Sequence, residues 1–201
     1  MIKQKEEKNL IVGLDIGTSK IVAIVAELQP DGLLNVIGLG QHSSKGLRKG
    51  VVINIDSTME AIQRAIEEAE LMANCKITDV YTGIAGSHIK SINSHGMVKI
   101  KDAEVSQLDV DKVIETACAI TLPNDQQVLH ILTQEYVIDG QEDVRQPLGM
   151  SGMKLEVKVH IVTGAIAAAQ NIVKCIKRCG LEVSELVLQP LASSMAVLTD
   201  D

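Results

Sequence analysis

The sequence predicts an α/β fold into which a small α+β unit is inserted, and three observations lead there. Residues 9–16, 20–28 and 33–40 are apolar, β-type runs joined by short turns, so they read as an antiparallel meander. A helical pattern and then another strand follow, at residues 59–73 and 78–85. The alternation then stops at Gly86 and resumes near Val157, with a strand at 157–162, a helix at 165–179 and a strand at 185–188.

The first strand is apolar on both sides of its pleat, as expected of a strand buried on both faces. The turn after the second holds Pro30, Asp31 and Gly32, residues that suit tight turns. Residues 41–50 are polar and glycine-bearing and read as a loop. Ser57, Thr58, Met59 and Glu60 form a capping-box pattern. Behind it Met59, Ile62, Ile66, Ala69 and Ala73 make one apolar stripe. In the helix at 165–179 the stripe is Ile166, Ala169, Ile172, Val173 and Ile176. Lys174, Lys177 and Arg178 occupy its last turn, and Gly180 follows as a C-cap. Pro190 stands where a further helix has its first residue, with Leu191, Met195 and Leu198 as its apolar side.

The interval 86–156 does not extend this pattern. It has its own helix at 106–119, with Val110, Val113, Ile114 and Ala117 on one side, and strands at 128–138 and 153–159. It therefore reads as an insert with its own core.

Composition excludes several functions. Hydrophobic residues make up 46% of the 201 and charged residues 22%, as in ordinary globular proteins. There is no Trp or Phe, and Tyr81 and Tyr136 are the only rings of that class. Nucleic-acid binding needs stacking platforms and a basic face, whereas the net charge is −7. Cys75, Cys118, Cys175 and Cys179 form no C-x-x-C pair. They read as small buried hydrophobes, because a zinc site needs further close ligands. His88, His95, His130 and His160 likewise lack partners in a metal pattern and read as structural. Residues 1–9 are charged and polar, unlike a signal peptide. The apolar run at 159–173 is broken by His160, Thr163 and Gln170. It falls short of the roughly 20 residues a spanning helix needs.

The chemistry concentrates in Gly13-Leu14-Asp15-Ile16-Gly17-Thr18-Ser19-Lys20. A carboxylate ends a strand, and a Gly-Thr-Ser turn leads into the next. Such a turn can line up backbone N–H groups around phosphate oxygens, and Gly17 permits close approach. Asp15 would face Mg²⁺ through water, since that ion keeps much of its hydration. Lys20 would offset phosphate charge. The plainer reading is a hairpin turn whose Asp and Ser serve only the turn. No Walker-type or G-x-G-x-x-G motif is present.

Strand–Asp-x-Gly-Thr–strand, followed by a third strand and a helix, resembles the first phosphate loop of the actin and sugar-kinase superfamily. Residues 186–197 are similar to that superfamily's first connecting segment, in which a polar residue after the strand faces the attacking water. Gln189 holds this position, so the resemblance makes it a water-positioning candidate. The alternative is a strand-end residue that bonds its own loop.

Further segments narrow the resemblance to the FtsA family of bacterial cell division proteins. They include Ser44-Lys45-Gly46-Leu47-Arg48-Lys49-Gly50, Ile84-Ala85-Gly86-Ser87-His88-Ile89, Asn93-Ser94-His95-Gly96-Met97 and Gln146-Pro147-Leu148-Gly149-Met150-Ser151-Gly152. With 69–73, 134–139 and 158–180 they cover nearly the whole chain in the family's order. The resemblance implies an actin-like, ribonuclease-H-like subdomain from 1–85 and 160–201, and an inserted subdomain at 86–159. It implies a scaffold that binds ATP and Mg²⁺, polymerises, and anchors the FtsZ ring at the cytoplasmic face of the inner membrane at the division site. The insert would serve self-association and contact with the cytoplasmic segment of FtsN. The second phosphate loop, the FtsZ-binding subdomain and the amphipathic membrane helix are expected beyond residue 201. The chain alone is therefore expected to bind ATP weakly or not at all, and not to hydrolyse it.

Asp102, Glu104, Asp109, Asp111 and Glu115 cluster before and within the insert's helix. They read either as a solvated face favourable near a helix N-terminus or as a docking patch for a basic peptide. The competing family readings are an actin-like type IV pilus assembly factor and a sugar kinase. A pilus factor would be expected to lack the Gly-Ser-His-Ile and Pro-Leu-Gly-Met-Ser-Gly stretches. A sugar kinase needs an acidic base and sugar-binding polar residues, for which no candidate stands out.

Overall fold

The computed structural model describes residues 9–198. They form two compact units, one from residues 9–88 with 167–198 and the other from 89–166.

The first unit is built on β1 (Leu10–Ile16), β2 (Lys20–Leu28) and β3 (Leu34–Ser43), an antiparallel meander. After it come the two-residue strands β4 (Leu47–Arg48) and β5 (Val51–Val52), then α1 (Ile55–Ala73) and β6 (Asp79–Ile84). β6 runs parallel to β1. On one face of the sheet Val12, Leu14, Ile16, Ile21, Ala23, Val25, Val80 and Ile84 are buried. The strands alternate, so one face is enough to hold these residues together. α1 packs on β2 and β3 with Ala61, Ile62, Ala65, Ile66 and Ala69 inward. Thr82, also buried, donates its hydroxyl to the Leu14 carbonyl at 3.0 Å.

β1 is not buried on both faces: Gly13 and Asp15 are exposed beside buried Val12, Leu14 and Ile16. Nor are residues 41–50 a simple loop, because β3 reaches Ser43 and β4 pairs with β5 as a hairpin. The cap of α1 is Asn54, not Ser57. The Asn54 side chain accepts the Ser57 amide at 2.9 Å, and the Thr58 hydroxyl donates to the Asn54 carbonyl at 2.7 Å. Asn54 wins because its own amide is held to the Gly46 carbonyl, which fixes it in the extended geometry a cap needs.

The second unit holds β7 (Lys90–Lys99), α2 (Gln107–Cys118), β8 (Gln126–Ile138), β9 (Gln141–Val144) and β10 (Lys154–Ala165). Its sheet is antiparallel, ordered β7-β10-β8-β9, and α2 covers one face. Leu155, Val157, Val159 and Ile161 of β10 meet Val110, Val113 and Ala117 of α2 in one core. β10 is a single strand whose apolar alternation continues through residue 161. The subdomain boundary expected at 159/160 falls inside this strand. β7 was not foreseen; it reads KSINSHGMVK, polar at most positions because it lies at the sheet edge.

The chain then continues as α3 (Ile166–Arg178), β11 (Glu182–Leu188) and α4 (Gln189–Val197). α3 buries Ala168, Ala169, Ile172, Cys175 and Ile176. β11 pairs parallel with β6 and completes the first unit's five-stranded sheet, ordered β11-β6-β1-β2-β3. No described helix is long and apolar enough to cross a membrane.

Candidate functional site

The β1–β2 connection is the centre of the site. Ile16 and Ile21 are the last paired residues, and the Gly17 amide donates to the Lys20 carbonyl at 3.0 Å, closing the turn. The Ser44 amide donates to the Ser19 carbonyl at 3.0 Å, which ties the turn to the end of β3. Asp15 stands just before the turn on the open face of the sheet. Desolvation raises its pKa above the ordinary carboxylate value, and the Lys20 ammonium acts in the opposite direction.

Gln189 begins α4, directly after β11. β11 and β6 run side by side up to the pair Leu188–Ile84, which delivers Gln189 to the same end of the sheet as the turn. Its amide nitrogen donates to Asp15 Oδ1 at 2.6 Å. Residues 174 apart in sequence thus meet at one point. Gly83 of β6 makes this approach possible: a Cβ there would sit 2.5 Å from Gln189 Cγ and 3.1 Å from its amide nitrogen. Pro190 falls one position later in α4 than expected, because the helix already starts at Gln189.

Gly17, Thr18, Gly83 and Gln189 border a hollow of about 170 Å³. Asp15, Tyr81, Gly83, Gln189 and Ser193 border a wider cleft of about 470 Å³ on the sheet's open face. All the residues read as phosphate-loop members, from Asp15 to Lys20, are consecutive around the turn, and Gln189 joins them. Gly83 was missed; the only sequence signal was a glycine inside a β-run, which often marks close approach.

The donor set at Asp15 is one carboxylate. Among the described residues no three His, Cys, Asp or Glu gather as a metal cluster. This suits Mg²⁺, which is commonly held by one or two carboxylates, ligand phosphates and water, and does not suit zinc. The four cysteines are free thiols. Burial pushes Cys179 up to about 11, so it stays protonated near neutral pH.

The acidic cluster of the second unit is not uniform. Asp102, Glu104, Asp111 and Glu115 are exposed, whereas Asp109 is only 6% exposed. Asp109 is the N3 member of a capping box on α2. Ser106 Oγ lies 2.6 Å from its carboxylate, the Ser106 amide donates to that carboxylate at 3.1 Å, and the Asp109 amide donates back to Ser106 Oγ at 3.3 Å. These bonds hold its pKa below the ordinary value. Asp111 accepts from the Gln107 amide at 2.9 Å. Of the histidines, His95 pairs with Glu156 at 2.9 Å and His160 with Asn93 at 2.6 Å. His88 keeps both ring nitrogens buried without a partner, and desolvation lowers its pKa.

Residues 86–163 match the model of the "SHS2 domain inserted in FTSA". The chain is 59% identical over 192 residues to the cell division protein FtsA of Pseudomonas aeruginosa, covering 96% of this chain and 46% of that protein. It is 56% identical to FtsA of Neisseria meningitidis, over 98% of this chain and 48% of that protein. With FtsA of Escherichia coli K12 the identity is 47%, over 100% of this chain and 48% of that protein. The chain thus spans about half the length of the curated relatives it matches. Among solved structures, the PilM-PilN type IV pilus biogenesis complex superposes with a TM-score of 0.62 at 16% identity, over 92% of this chain and 49% of that one. The ethanolamine utilization protein EutJ from Carboxydothermus hydrogenoformans gives 0.50 at 13% identity, over 98% and 43%. These neighbours carry the fold alone, and the fold is that of the actin-like ATPases. Over the half of those relatives that it spans, this chain is similar to FtsA along nearly its whole length.

Proposed function

We propose that the chain serves as the phosphate-loop half of an ATP-binding, actin-like scaffold of bacterial cell division. The observation that carries this reading is the 2.6 Å bond from Gln189 to Asp15. It joins the residue expected to orient water to the residue expected to face Mg²⁺, beside a Gly-Thr-Ser turn. With its amide nitrogen on Asp15, Gln189 has its amide oxygen left to accept from a water molecule. The turn's backbone and the Lys20 ammonium would hold phosphate oxygens, and a bound Mg²⁺ would neutralise their charge. Asp15 would hold that ion through water. The whole protein would polymerise and tether the FtsZ ring at the cytoplasmic face of the membrane at the division site.

The insert is proposed to serve self-association and contact with later division proteins, the cytoplasmic segment of FtsN among them. Asp102, Glu104, Asp111 and Glu115 support docking of a basic peptide because they are exposed in α2 and the loop before it. Asp109 supports it less, since its carboxylate is already committed to the cap. The pilus-factor reading has only a fold-level likeness at 16% identity behind it.

The test is a backbone NMR titration of this chain with the FtsN cytoplasmic peptide and, separately, with the tail peptide of the pilus partner. The expected result is shifts from the FtsN peptide confined to residues 86–166 and weakened by salt. Shifts with the pilus peptide alone would overturn the division assignment.

A further inference from the structure

The β4–β5 hairpin lies next to the phosphate turn. Its two-residue turn, Lys49–Gly50, has positive φ at both positions, 51° and 78°, as a type I′ hairpin turn requires. Its base is fixed, because the Ile53 and Asn54 amides both donate to the Gly46 carbonyl at 2.8 and 3.1 Å. Its tip is wedged against the end of β6. A Cβ on Gly50 would lie 2.0 Å from the Ala85 carbonyl oxygen, and a Cβ on Gly86 would lie 2.7 Å from that of Lys49. Here the Gly50 amide points at the phosphate turn and donates to Thr18 Oγ1 at 3.4 Å. Thr18, Gly50 and Gly86 border the same 170 Å³ hollow.

A threonine hydroxyl has one proton to give and lone pairs to receive. The Gly50 N–H can only donate, so it occupies a lone pair and leaves the Thr18 proton for another acceptor. We propose that the Lys49–Gly50 turn is a positioning element of the phosphate site: it holds the Thr18 hydroxyl so that its proton is presented to a phosphate oxygen of a nucleoside polyphosphate. This rests on the phosphate-binding reading of residues 15–20. The bond is long at 3.4 Å, and bonds of this kind commonly tighten once a site is loaded. Glycine is needed at position 50 for both the backbone conformation and the contact with Ala85.

The experiment titrates magnesium pyrophosphate and, separately, magnesium ATP into the ¹⁵N-labelled chain, up to about 20 mM because half a cradle binds weakly. The Gly50 amide proton is expected to move downfield with the same half-saturation as the Thr18 and Ser19 amides. Thr18→Val is expected to abolish the Gly50 response and to weaken binding about five-fold, the value of one ordinary hydrogen bond. Thr18→Ser is expected to keep both. Gly50→Ala and Gly86→Ala push the turn away from opposite sides and are expected to match Thr18→Val. If Gly50→Ala fails to fold, the Thr18→Val and Thr18→Ser pair still decides. Shifts at Thr18 and Ser19 with a stationary Gly50 amide, or full affinity in Gly86→Ala and Thr18→Val, would overturn the positioning role alone. Absence of any shift at residues 15–20 with either ligand would overturn the phosphate-binding reading with it. Equal response to both ligands would locate recognition in the phosphates; a response to ATP alone would require adenosine contacts and overturn a site built on phosphate.

Discussion

Asp15 feels two opposed influences, desolvation pushing its pKa up and the Lys20 ammonium pulling it down. A carboxyl whose folded pKa is raised favours the folded chain most below its unfolded value, about 4. That contribution is lost as pH rises through the folded value. Lys20→Met removes the opposing cation, so the Asp15 carboxyl should titrate at higher pH, read from its ¹³C resonance. An unchanged titration would mean that Lys20 does not reach the loop's charge. Gly83→Ala acts at the same point from the other side. The added Cβ should drive Gln189 off Asp15 at a cost of about 1–3 kcal/mol. The Gln189 side-chain amide signals should move to solvent-exposed values while the core spectrum is unchanged. In the sequence Asp15 and Thr18 were singled out by the local strand–Asp-x-Gly-Thr–strand pattern, and Gln189 by the resemblance of residues 186–197 to a connecting segment. Gly83 and Gly50 were not. Their role is set by what lies across a gap of chain, and a lone glycine looks the same in a bulge, a turn or a close approach.

At the level of the element, caps decided where the sequence reading held. For α2 the start at Ser106 was read correctly, and Ser106 with Asp109 forms a reciprocal box. Ser106→Ala should cost about 1 kcal/mol of stability, measured by chemical denaturation. It should also return the Asp109 pKa upward, because the Ser106 hydrogen bonds are the main cause of its depression. Stability lost without any change in Asp109 titration would separate the cap from the carboxylate. For α1 the same kind of pattern misled, since Ser57 and Glu60 match a box while Asn54 does the capping. The difference is tertiary: the Gly46 carbonyl holds Asn54 in place from eight residues away, and no local motif reports that. β10 shows the converse. Its alternation was visible, but His160 and Thr163 interrupt the hydrophobic run, so one strand was read as two. His160 points to the other face, where it pairs with Asn93, whereas Thr163 is itself buried.

At the level of the whole molecule, the inserted unit has what it needs to fold by itself. Its core cluster runs from Ile100 to Ile161, with Val98 packed against it, and every member lies within residues 89–166. Its helix is capped within the same segment. Residues 86–166 produced alone should therefore give a dispersed amide spectrum and a single cooperative melt, and Leu155→Ala in that piece should cost about 2–5 kcal/mol. The isolated unit should also be acid-labile in a defined direction. Asp109 is held low by the Ser106 hydrogen bonds, Glu135 by the Lys158 hydrogen bond, and Glu156 by hydrogen bonds from Lys154 and then His95. Depressed carboxyls contribute stability above their unfolded pKa values, about 4, and lose it as pH falls through the folded values. The melting temperature should hold steady from neutral pH down to about 5 and then fall as these groups take up protons. A piece that stays collapsed and undispersed would show that the unit depends on chain outside it. A dispersed piece whose melting temperature ignores acid would leave the core argument standing and remove these three carboxylates from the account of its stability.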